Sequence, residues 1–110
     1  MTFEEHFKSL IADLNNRFPQ LVKKYNLCVT HSGGGCFHVD YVLNNKLSVS
    51  INPFNEDVEY DVPKDKNTKC IFGIYNEEGE QNETFISPFE NGLKQLEKMK
   101  GEKENGKNNN

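Results

Sequence analysis

Cys28, His31, Cys36 and His38 fall within eleven residues, in the spacing C-x2-H-x4-C-x-H. Two thiols and two imidazoles at that density are a donor set suited to zinc. The C-x2-C knuckle of most small structural zinc sites is absent, however. Cys36, His38 and Asp40 stand at i, i+2 and i+4, an order that suggests a nucleophile, a base and an orienting carboxylate. On a strand, alternate residues lie ~7 Å apart, which puts a Cys–His contact at the limit of reach. No helix N-terminus stands nearby to hold an oxyanion, and only the amides of Gly33-Gly34-Gly35 remain for that role. Those glycines join strand to strand and lack the Gly-Lys-Ser/Thr of a phosphate loop. Positive φ in a tight hairpin accounts for them, although three exceed what a turn needs and leave room for another backbone to approach. The residues therefore predict neither enzyme nor cofactor, and no metal. If a metal did bind, its ligands would be Cys28, Cys36 and His38. The alternative function that these residues support is a small-molecule or metal-binding domain using the tip at 33–38.

The elements that must position these side chains can be read from alternation. Leu27, Val29 and His31 alternate with Cys28, Thr30 and Ser32. Phe37, Val39, Tyr41 and Leu43 alternate with Cys36, His38, Asp40 and Val42, and Leu47, Val49 and Ile51 with Ser48, Ser50 and Asn52. Period-two runs separated by Gly or Asn clusters mark antiparallel hairpins with one buried face. Loop parity tests the register, because a one-residue slip sends a whole apolar set to the other face. Three-residue loops at 33–35 and 44–46 set Val29 opposite Val39 and Tyr41 opposite Val49. Every large apolar side chain then shares one face except Val42. That register weakens the zinc reading, since Cys28, Cys36 and His38 lie on one face and His31 on the other.

The remaining chain supplies the layers. Thr2-Phe3-Glu4-Glu5 is a capping box, and Phe3, Phe7, Leu10, Ile11, Leu14 and Phe18 form one helical stripe. Pro19 ends or kinks that helix, or opens a second turn carrying Leu21 and Val22. Val58, Tyr60 and Val62 alternate with acids and predict a short strand that Pro63 ends, before a turn at 64–67. Residues 70–75 are apolar on both faces apart from Gly73, which suits an interior strand covered on both sides. After a turn at Glu77-Glu78-Gly79, residues 83–86 are expected to pair back. Ser87-Pro88-Phe89-Glu90 reads as N-cap, N1 Pro and N3 Glu of a last helix, and Gly101 as its stop. The fold class is α+β: an N-terminal helix, an antiparallel meander of four to five strands and a C-terminal helix. Residues 1–100 form one domain and residues 101–110 a disordered polar tail.

Three cysteines exclude a complete disulfide framework and point to reduced thiols in a cytoplasm. No apolar run approaches the ~20 residues of a membrane span, and no signal peptide follows Met1. The net charge of −4 is unevenly spread. Residues 56–90 carry three Lys against ten Asp or Glu, a balance of −7, while both flanks are slightly basic. Phosphates demand a basic footprint, so direct nucleic-acid binding is not expected there, whereas a basic protein partner fits. A solvated acidic face without a partner is the competing reading.

Ser32-Gly33-Gly34-Gly35-Cys36 heading a strand, followed by Gly73-Ile74-Tyr75-Asn76-Glu77-Glu78-Gly79, resembles short uncharacterised proteins of phages and mobile elements. In those a G-x-Y-D-x-x-G-like hairpin follows, so Asn76 stands where Asp is usual. Separately, Phe85-Ile86-Ser87-Pro88-Phe89-Glu90-Asn91-Gly92-Leu93 is similar to the start of the second helix in phage anti-CRISPR inhibitors of Cas9. Those act by imitating duplex DNA, and here the resemblance implies a class of mechanism and no residue role. The expected function is a non-enzymatic protein that inhibits a host defence protein through acidic nucleic-acid mimicry in the host cytoplasm. The partner would carry a basic nucleic-acid-binding groove, and the contacting residues would be Glu56, Asp57, Glu59, Asp61, Glu77, Glu78, Glu80 and Glu83.

Overall fold

The order is α1 (Phe3–Arg17), α2 (Pro19–Tyr25), β1 (Cys28–Gly33), β2 (Cys36–Val42), β3 (Ser48–Pro53), β4 (Lys69–Tyr75), β5 (Gln81–Pro88) and α3 (Phe89–Asn108). This computed structural model describes residues 2–33, 36–54 and 62–108, and their side chains except at 32, 33, 36 and 101–108. The expected strand around Val58 and Tyr60 lies outside the described residues. So do Glu56, Asp57, Glu59 and Asp61.

All five strands form one antiparallel sheet in the order β1-β2-β3-β4-β5, a simple meander. Val29 pairs with Val39 and Tyr41 with Val49, the register that the loop parity demands. Near the first turn the pattern shifts: Gly33 pairs with Cys36, with an irregularity between His31 and Gly33. An extra residue is absorbed there, as in a bulge, so the loop is shorter than three residues. β3 continues into β4 with Val49 opposite Ile74 and Ile51 opposite Phe72, and β5 places Phe85 opposite Phe72.

One face of the sheet is buried. Val39, Leu43, Val49, Ile51, Cys70 and Phe72 have no solvent exposure. Leu10 and Leu14 of α1 and Phe89, Leu93 and Leu96 of α3 complete the same core. Phe18 meets Phe89 edge-on at 4.8 Å between ring centres, joining the helical layer, and Phe72 stacks on Phe85 at 4.9 Å. α3 passes so close to Phe72 that a Cβ on Gly92 would sit 2.1 Å from its Cζ. Only glycine fits there. Val42, alone among the large apolar residues of β2 in facing away, is 60% exposed.

Thr2 caps α1, its Oγ1 accepting from the Glu5 amide at 3.2 Å. Pro19 opens α2 at its first turn, and Asn26, in the left-handed region at φ 54°, closes it. Phe3 and Ile11, expected within the buried stripe of α1, are instead 50% and 39% exposed.

Three further expectations are corrected. Ser87 does not cap α3: Ser87 and Pro88 belong to β5, where they pair with Cys70 and Lys69. The first helical amides are satisfied from a distant turn instead, Phe89 donating to Thr68 O at 2.9 Å and Glu90 to Lys66 O at 3.1 Å. Helix α3 also runs through Gly101 to Asn108, since an interior glycine costs only ~1 kcal/mol and does not forbid a helix. Finally, β4 is an interior strand but is covered on one face only. Its other face is apolar through the cross-strand pair Ile71–Ile86, with Ile86 51% exposed, and through Tyr75. Among the described residues, no helix is long and apolar enough to cross a membrane.

Candidate functional site

With all helices on one side, no described element covers the opposite face of the sheet. Its side chains follow from the register. A transverse row runs Cys28, Asp40, Ser50, Gly73, Thr84 across all five strands. Beside it lies the row Thr30, His38, with Asn52, Ile71 and Ile86 continuing on β3 to β5. On the other flank stand Val42, Ser48 and Tyr75. Residues of small volume occupy the central row and larger ones its flanks, so the face is furrowed. A cleft of about 630 Å³ occupies this region, lined by His38, Asp40, Ser50 and Tyr75 and closed at one end by Asn76 and Glu77.

The polar groups in the cleft are partly desolvated. His38 Nε2 and Thr30 Oγ1 are hydrogen-bonded at 2.7 Å, and the nearest Asp40 oxygen is 3.9 Å from the same nitrogen. Burial pushes the His38 pKa below its ordinary value, with Asp40 opposing that shift. Burial pushes the Asp40 carboxyl upward, again with the partner opposing. The Cys28 thiol is raised by burial and by Asp40, which lowers its thiolate fraction and its nucleophilicity. Tyr75 leans across Gly73, where an added Cβ would lie 3.1 Å from the ring. Its hydroxyl donates to Gln81 Oε1 at 3.3 Å.

At the end of this face the β4–β5 turn holds a second feature. Asn76 Oδ1 accepts from the amides of Glu78 and Glu80 at 3.0 and 2.9 Å, and Asn76 O accepts from Gly79 at 3.0 Å. Gly79 takes φ +81°, where a side chain would be strained. An Asp at position 76 would offer the same acceptor, so Asn preserves the turn. Glu77, Glu78 and Glu80 are thereby held exposed on a small rigid loop. Glu83 is exposed too, yet stands opposite Ile74 on the helix side of the edge strand. The structure therefore groups three of the four described acids and sets the fourth apart.

His31 lies on the helix side as expected, in an aromatic cluster with Phe3 at 4.8 Å and Phe37 at 5.2 Å between ring centres. It is thus parted from Cys28 and His38, which occupy the open face. The Cys36 side chain is outside those described. Among the described residues, no three His, Cys, Asp or Glu are grouped to hold a metal. Sequence reasoning passed over Ser48, Ser50, Asn52 and Tyr75 as site residues. Their signal was their phase, since each sits one step from a core residue and must face outward.

No protein-family model, curated protein or solved structure matches the chain.

Proposed function

We propose that the protein is a non-enzymatic binding protein of a phage or mobile element. In this reading it occupies a basic, nucleic-acid-reading groove of a host defence protein with its acidic hairpin. The observation that carries this is the β4–β5 turn: residues 76–83 include four Glu and no Lys or Arg, and Asn76 Oδ1 holds the backbone amides of two of them, Glu78 and Glu80. A turn whose backbone is already ordered loses less entropy on docking, and its carboxylates meet a phosphate-binding surface with complementary potential. The phage setting is supported by the resemblances of residues 32–36, 73–79 and 85–93.

The test uses guide-loaded Cas9 and measures how the protein competes with duplex DNA. Wild type is expected to displace DNA, with an apparent affinity that falls as salt rises. Reversing Glu78→Lys and Glu80→Lys together should weaken competition at least about tenfold, or ~1.4 kcal/mol. Wild type failing to compete, or the reversed variant competing equally well, counts against the reading.

A further inference from the structure

The charge of the open-face cleft is unbalanced. Asp40 and Glu77 line it and no lysine or arginine does, among the described residues. His38 lines it too; burial lowers its pKa while Asp40 opposes that shift, and its Nε2 is hydrogen-bonded with Thr30 Oγ1. Ser48, Ser50 and Asn52 add neutral polar groups to the same lining. The placement is also specific. Asp40 pairs with Ser50 and Ser50 with Gly73, on which the Tyr75 ring rests. Strands lie ~4.8 Å apart, so the backbones at Asp40 and at Gly73, under the Tyr75 ring, are about 10 Å apart with Ser50 between them.

We infer that this gap receives an arginine side chain from a protein partner, its guanidinium set between the Asp40 carboxylate and the Tyr75 ring above Ser50. A planar group with five donors matches a lining of carboxylate, hydroxyl and amide groups, and it stacks on an aromatic ring. Arginine suits the site better than lysine, because guanidinium is more weakly hydrated and costs less to bring beside a half-buried carboxylate. The inference rests on the reading of a basic partner but names a different surface from the hairpin acids.

The experiment follows amide chemical shifts of the full chain, titrated at ~0.15 M salt with Gly-Arg-Gly and with its neutral citrulline analogue. Arginine peptide at about 20 mM, well above the ~1 mM dissociation constant fitting a single side-chain contact, should shift Asp40, Ser50, Gly73 and Tyr75. The citrulline peptide should bind at least about tenfold more weakly. Asp40→Asn should cost a similar factor. Ser50→Leu, which fills the gap and leaves the charge unchanged, should abolish the shifts. Glu78→Lys with Glu80→Lys should weaken arginine binding less than Asp40→Asn does, since both side chains are exposed on the turn and neither lines the cleft. Loss of DNA competition in the hairpin variant with arginine binding intact would separate the two surfaces. Equal binding of citrulline, unchanged binding in Asp40→Asn or Ser50→Leu, absence of any shift, or shifts confined to residues 76–83 would overturn the inference.

Discussion

Two glycines touch two aromatic rings on opposite sides of the same strand, and they are not equivalent. On the covered side Gly92 of α3 abuts Phe72, which is fully buried and stacked on Phe85. On the open side Gly73 lies under Tyr75, which is half-exposed and tethered through its hydroxyl to Gln81. An added Cβ would stand 2.1 Å from the first ring and 3.1 Å from the second. The first contact leaves no escape, because the ring is locked by close packing. The second has solvent beside it. One side of the sheet thus carries stability, while the other is free to be shaped for binding.

Gly92→Ala gives that difference its severest trial. At an ordinary helix position the change would gain ~1 kcal/mol in propensity. Here overpacking should outweigh that, for a net loss of about 2 kcal/mol in urea unfolding. Phe72→Leu in the same chain should recover part of the loss, and strictly additive effects would refute a direct clash. Neighbouring residues of β3 sharpen the contrast: Val49 is fully buried and Ser50 faces the cleft. Val49→Ala should cost about 2 kcal/mol, and Ser50→Ala no more than about 0.5 kcal/mol. Gly73→Ala should fall within about 1 kcal/mol of wild type, since a Tyr75 shift of a few tenths of an ångström offsets the backbone gain. A loss as large as that at Gly92 would mean the open face is as tightly packed as the core.

The side that packs was legible because the alternation of β1 to β3 sorts Val29, Val39, Val49 and Ile51 together and burial tolerates no slip, the bulge between His31 and Gly33 absorbing the residue that the shorter first loop leaves over. The start of α3 was not. Ser87-Pro88-Phe89-Glu90 satisfies every local rule for a cap, yet β4 claims Ser87 and Pro88, and carbonyls of Lys66 and Thr68 serve the amides. Such partners lie some twenty residues away and leave no local mark. The extent of cover over β4 was misread for a related reason. Ile71 is apolar because Ile86 stands across from it on the open face, without any helix above. The hairpin acids could be located from sequence, but the cleft could not, since it exists only once Asp40, Ser50 and Gly73 align across three strands.

The smallest effect concerns protonation on the open face. His38 has its pKa lowered chiefly by burial, so the unfolded chain takes up the proton first as pH falls through the ordinary value of 6.5. Stability must therefore decline with falling pH there, until the folded-state pKa is passed. Asp40 behaves oppositely. Its pKa is raised above 3.8, so the folded chain binds the proton first, and stability recovers in part as pH falls through that raised value. Measured by urea unfolding from about pH 7 to pH 5, His38→Gln should flatten the decline relative to wild type. Asp40→Asn should steepen it, because the carboxylate is what favours the imidazolium. Parallel curves for wild type and His38→Gln would mean that this face is as wet as an ordinary surface, and its contrast with the core would then be one of packing alone.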